Sequence, residues 1–298
     1  MTTTTAAAAI TTVNTTAVVL PMNYSTINPT SILLDWLVNH PMILNFSWSE
    51  GQTLGSSPRF LTFTVLSYLS LTFFLSQNPF FSLESHLRRR ITALHNFILI
   101  VISFTMAIGC TLSTLSQSPD VHYIICFPTN TKPKGPIFFW AYMFYLSKIY
   151  EYIDTLLILM NNKSISRLSF LHVYHHATVV IMCYLGLHTT QSSLPLVIVT
   201  NCLVHVFMYS YYLLCALGFR PKWKKLVTDC QILQFLSSFV IFSLIFGYHF
   251  GTNSGCSGIW GCVFSAGFVI TLLYLFLDFH SKSYSAVTNK LKLQDKEM

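Results

Sequence analysis

The chain has 298 residues, 53% of them hydrophobic and only 9% charged, with a mean hydropathy of +0.56. That balance excludes an ordinary soluble domain, in which about a quarter of residues are charged. The net charge of +7 calls for no nucleic-acid partner, because the basic residues cluster beside long apolar runs, as the loops of a membrane protein do.

Residues 1–58 are read as a lumenal segment. Its first 30 positions are rich in Thr and Ala and are expected to be disordered. The apolar patch Ala17 to Leu20 is too short for a cleavable signal peptide, and Ser31 to Val38, with Trp36, suits an interfacial helix. Apolar runs of about 18 residues mark spanning helices. Seven are predicted, at 60–76, 93–115, 137–160, 168–187, 194–217, 226–250 and 258–279, within a domain covering 59–280 and followed by a cytosolic tail over 281–298. With the N-terminus lumenal, thirteen Lys and Arg residues fall in cytosolic loops, including Arg88, Arg89 and Arg90. Arg59, Lys132 and Lys134 fall on the lumenal side, and Lys148 inside the third span. The excess of inner charge favours that orientation and an odd number of spans. Lys222, Lys224 and Lys225 could also bind the anionic head of a substrate. Cys126 and Cys256 lie in loops on the oxidising side, where a disulfide between them can form. The other cysteines read as small apolar packers.

Ionisable groups inside a bilayer need partners or a cavity, and here they gather in four consecutive spans. On the third, Lys148, Glu151 and Thr155 share a face, with Asp154 about 60° away from Glu151. The fourth opens with His172, His175 and His176, which converge because residues three and four apart are neighbours on a helix. The fifth presents Asn201, His205, Met208 and Tyr212, with Tyr209 at the margin, and the sixth adds Thr228, Gln231 and Gln234. All four sets fall in the cytosolic halves of their helices. They predict one polar chamber with a basic ceiling and an apolar floor, suited to a substrate with a charged head and a hydrocarbon tail.

A histidine box of this kind fits two chemistries. Di-iron desaturases and hydroxylases need several such boxes, and although the chain has eleven histidines, the HxxH spacing occurs once. The metal-free alternative uses histidine as general base or nucleophile, and no metal or cofactor is then required. Cys183 lies eleven residues beyond His172, roughly 16 Å along the helix, too far for a Cys–His pair. A seven-helix receptor would place its ligand cavity toward the lumen, whereas this cluster is at the other end.

The ordered set Lys148-x-x-Glu151-x-x-Asp154-Thr155, His172-x-x-His175-His176, His205-x-x-Met208-Tyr209-x-Tyr211-Tyr212 and Thr228-x-x-Gln231-x-x-Gln234 resembles the four motifs of the ELO family of fatty-acid elongases. The resemblance covers about residues 60–280. It implies an endoplasmic-reticulum 3-ketoacyl-CoA synthase with seven helices around an acyl pocket, acting on acyl-CoA and malonyl-CoA in membrane lipid. It also implies work alongside a ketoacyl-CoA reductase, a dehydratase and an enoyl-CoA reductase, and leaves room for a homodimer. By position in the box His175 is the expected nucleophile and His205 the group acting on the enolate or leaving group. His172 and His176 would orient them, Glu151 and Asp154 would set tautomers, and Lys148 would neutralise negative charge. Asn201, Tyr209, Tyr212, Gln231 and Gln234 would bind substrate.

Overall fold

The computed structural model describes residues 29–78, 83–161 and 168–285. The expectations for residues 1–28 and for the tail beyond 285 lie outside the described residues. Regular structure here is helical, apart from one antiparallel bridge between Ser47 and Lys134. The helices are α1 Pro29–Leu37, α2 Pro41–Leu44, α3 Pro58–Gln77, α4 Ser85–Gln117, α5 Val121–Ile125, α6 Pro136–Tyr150, α7 Tyr152–Leu159, α8 Phe170–His188, α9 Leu194–Leu217, α10 Lys224–Gly251 and α11 Ile259–His280, which runs into a π-helical turn, Ser281–Ser285.

Among the described residues α3, α4, α8, α9, α10 and α11 with its turn are long and apolar enough to cross a membrane, six in all. The molecule is therefore an all-helical, multi-pass membrane protein. The third expected span, 137–160, is not one helix. At Glu151 the backbone tightens (φ −63°, ψ −11°), and the Asp154 N–H reaches back three residues to the Glu151 carbonyl at 3.0 Å. The ladder restarts as α7, and neither piece alone has a spanning length. The second span also differs, because α4 begins at Ser85 and takes Arg88, Arg89 and Arg90 into its first turns instead of leaving them in a loop.

Short-range chemistry sets the helix ends. Ser57 and Ser169 cap α3 and α8 by accepting from the N–H groups of Phe60 and His172. Pro58, Pro136 and Pro195 occupy first-turn positions, where a missing N–H costs nothing. Gly218 ends α9 in the left-handed region, with φ 101°.

α4 packs along most of α9, α6 lies between α4 and α8, and α10 and α11 pair beside them. Close approach of α4 and α6 depends on Gly109, since any Cβ there would overlap the Trp140 indole. Trp140 Nε1 donates to the Leu37 carbonyl at 3.0 Å, which ties α1 to the bundle. One end is closed by loops. Trp48 N–H donates to Pro133 O, Gly135 N–H to Phe46 O and Ser257 N–H to Phe127 O. A disulfide joins Cys126 to Cys256 there, with 5.1 Å between their Cα atoms. The opposite end carries Arg88, Arg89 and Lys224 at the starts of α4 and α10. These are called below the disulfide end and the basic end.

Candidate active site

Lys148 and Glu151, each 1% exposed, sit where α6 gives way to α7. The Lys148 ammonium donates to Glu151 Oε1 at 2.8 Å and to Asn201 Oδ1 at 3.0 Å, and lies 3.4 Å from His205 Nδ1. His205 Nδ1 is in turn 3.3 Å from Glu151 Oε1. Three donors meet three partners, so the buried cation is fully engaged. Asn201 donates onward to Gln234 Oε1 at 3.5 Å. Residues from three of the four sequence motifs thus form one network.

The cap at Ser169 starts α8 so that the histidine box occupies its first two turns. His172 Nε2 lies 2.9 Å from Thr155 Oγ1, which lies 3.0 Å from the Tyr68 hydroxyl on α3. The His176 ring is buried with its centroid 4.4 Å from that of His172 and 5.3 Å from that of His175. Its Nδ1 has no partner among the described residues. The His175 imidazole makes no hydrogen bond to the described residues, and it borders two cavities.

Asp154 is held from two sides. His95 Nε2 lies 2.9 Å from Oδ1, and the Tyr209 hydroxyl donates to Oδ2 at 2.8 Å. Tyr209 is 2% exposed, not at the edge of its helix face as the periodicity suggests, because its hydroxyl reaches across to α7. Tyr212 is half exposed but lines the chamber, and Gln231 Nε2 donates to Met208 Sδ at 3.2 Å.

The larger cavity, about 620 Å³, runs from Arg88, Arg89 and Lys224 past Asp154 and the histidines to Asn201 and Gln234. A smaller one of about 100 Å³ adjoins it, lined mainly by apolar side chains such as Phe144, Val179, Met182, Val197, Phe242 and Phe268. His175, Asn201, Gln234 and Phe235 border both. On α8, α9, α10 and α11 alike, the residues of the smaller cavity lie further toward the disulfide end. The result is a polar chamber under basic side chains, continued by an apolar one.

Most of the residues picked from the sequence meet here: Lys148 in the buried network, Thr155 behind His172, the others in the cavity wall. Lys222 and Lys225 do not line the cavity. They are exposed, since Lys222 precedes α10 and Lys225 is turned about 100° from Lys224 on the helix. Four contributors carry no clear sequence signal. Arg88 and Arg89 are legible as members of a basic loop but not as cavity-lining residues, while Tyr68 and His95 stand on helices whose polar residues form no repeating pattern.

An all-helical membrane protein with a histidine-rich chamber joined to an apolar pocket is the class so defined. Residues 53–292 match the family model described as ELO, the GNS1/SUR4 family, and the chain belongs to that family. Fatty acid elongase A of Dictyostelium discoideum is 33% identical over 249 residues, covering 80% of this chain and 88% of the relative. Fatty acid elongase 3-like of Arabidopsis thaliana is 25% identical over 284 residues, 87% and 95% of the two chains. Very long chain fatty acid elongase 2 of Mus musculus is 28% identical over 219 residues, 70% and 71%.

Proposed function

We propose that the chain is a fatty acid elongase of the endoplasmic-reticulum membrane that condenses malonyl-CoA with a long-chain acyl-CoA. The products are a 3-ketoacyl-CoA two carbons longer, carbon dioxide and free CoA. The observation that carries this reading is the placement of His175, whose imidazole, without a hydrogen bond among the described residues, stands where the polar and apolar cavities meet. A thioester lying there has its hydrocarbon in the apolar chamber and its CoA toward Arg88, Arg89 and Lys224.

A neutral His175 nitrogen attacks the acyl carbonyl, the carbon–sulfur bond breaks, and CoA departs with a proton. The acyl-imidazole is water-sensitive, and the buried wall around it limits hydrolysis. Malonyl-CoA then enters and loses carbon dioxide, the resulting enolate carbon attacks the acyl carbon, the carbon–nitrogen bond to His175 breaks, and the released ring nitrogen takes up a proton from solvent to restore the neutral imidazole. His205, held by Glu151 and beside the Lys148 ammonium, supports the charge that develops in this second step. His172, fixed through Thr155 and Tyr68, orients the box. In this reading α6 and α7 together form a seventh crossing, the basic end is cytosolic and the disulfide end lumenal, which agrees with the loop charges. Membrane lipid surrounds the bundle, and the reductases and dehydratase that process 3-ketoacyl-CoA are its partners.

Microsomes from an elongase-deficient host expressing the chain, given labelled malonyl-CoA and a panel of saturated and unsaturated acyl-CoAs, provide the test. Without added reductant, label should accumulate in a 3-ketoacyl product two carbons longer than the primer. No labelled product with any primer, despite expressed and folded protein, would overturn the proposal.

A further inference from the structure

His95 lies on α4, which carries none of the four motifs, and it does not line either cavity. It is 3% exposed, with its ring 5.1 Å from that of Tyr150 and Nε2 2.9 Å from Asp154 Oδ1. A carboxylate oxygen accepts, and the His95 Nε2–H is the donor to it. The other ring nitrogen, Nδ1, is buried without a partner among the described residues. Such an atom is costly to bury, and the hydrogen bond to Asp154 is what offsets that cost.

Asp154 passes that constraint on. Its other oxygen accepts from the Tyr209 hydroxyl at 2.8 Å, and the Tyr209 ring stands edge-on to the His205 ring with centroids 5.4 Å apart. Asp154 also sits just past the break at Glu151, on the eight-residue helix α7. An anchor outside that short helix is needed to fix where its carboxylate points, and His95 provides one.

We infer that His95 is a positioning residue for condensation, holding Asp154 and through it the Tyr209 hydroxyl, so that the His205 ring keeps its place in the cavity wall. This deepens the elongase reading and rests on it. A purely structural His–Asp pair would affect folding and both half-reactions alike, whereas a positioning residue acting through Tyr209 affects the step that uses His205.

Three replacements separate these cases. In His95→Gln the side-chain amide N–H falls near the place of Nε2. In His95→Asn it falls near Nδ1, and His95→Phe keeps the ring without a donor. Purified protein in lipid vesicles is assayed for thermal unfolding, for CoA release from acyl-CoA alone, and for condensation with malonyl-CoA. His95→Phe should lower condensation kcat by about tenfold, with acyl-CoA KM and CoA release within about twofold of wild type. His95→Gln should recover most of the loss and His95→Asn should not. His95→Phe with Tyr209→Phe should be no slower than the worse single variant, since both act through one carboxylate. Should His95→Phe fail to fold, the contrast between Gln and Asn decides alone. Equal condensation in Gln and Asn variants, or equal loss in both half-reactions, would overturn the inference while leaving the elongase reading intact. A wild-type protein without condensation activity would overturn the reading and the inference with it.

Discussion

Lys148 replaces the water its ammonium would have in solution with Glu151, Asn201 and the edge of His205, all within 3.4 Å. Removing one member of a buried pair leaves the other charge uncompensated, which costs about 3–5 kcal/mol. Lys148→Met should therefore destabilise the protein by about that amount in a reversible unfolding assay in detergent. Adding Glu151→Gln should restore part of the loss, and a double variant less stable than Lys148→Met would contradict the pairing. Much of this network is readable from sequence, because periodicity alone puts Lys148 and Glu151 on one face and collects the box histidines on another. Which faces meet is less legible. Thr155 bridging Tyr68 and His172, and Asp154 bridging His95 and Tyr209, are contacts between distant segments. The polar residues around positions 68 and 95 form no repeating pattern to extrapolate.

The helix starts and stops follow local rules at Ser57, Ser169 and Gly218, but the interruption at Glu151 does not. No Gly or Pro stands there, and the ladder is reset where Glu151 turns to its Lys148 partner one turn back. Burial pattern alone reads 137–160 as one continuous apolar helix. The start of α4 is hidden for a different reason, since three successive arginines read as a loop. In the structure Arg89 Nε donates to the Ala216 carbonyl at 3.1 Å, placing a cation at the C-terminal end of α9 where the helix dipole favours it. Of the three lysines around the start of α10, Lys224 alone borders the chamber. Lys224→Ala should raise the acyl-CoA KM several-fold at low salt with kcat little changed, and Lys222→Ala and Lys225→Ala should leave KM near wild type. Equal KM effects from all three would show a diffuse attraction, not a contact made by Lys224.

At the scale of the whole molecule, composition and loop charge already describe a multi-pass helical protein with one basic end. The structure adds that the disulfide, the Ser47 to Lys134 bridge and exposed Asn45 share the opposite end. If that end is lumenal, the Asn45-Phe-Ser47 sequon is available for glycosylation and Asn162-Lys-Ser164 is not. Endoglycosidase treatment should shift the mobility of protein made in microsomes. The same side carries the sequons Asn14-Thr-Thr16 and Asn23-Tyr-Ser25, so the shift should vanish when Asn14, Asn23 and Asn45 are all replaced by Gln, and sugar on Asn162 would reverse the orientation. The joining of two cavities beside the His175 imidazole is likewise a property of the assembled bundle, since the wall comes from helices far apart in sequence. The proposed chemistry therefore turns on His175. Incubating the purified protein with acyl-CoA alone, then mapping its peptides by mass spectrometry, is the direct measurement. Free CoA should appear together with an acyl mass on the peptide containing Tyr174, His175 and His176, both lost in His175→Ala and insensitive to strong chelators. CoA release only when malonyl-CoA is also present, or an adduct that persists in His175→Ala, would contradict acyl transfer to His175.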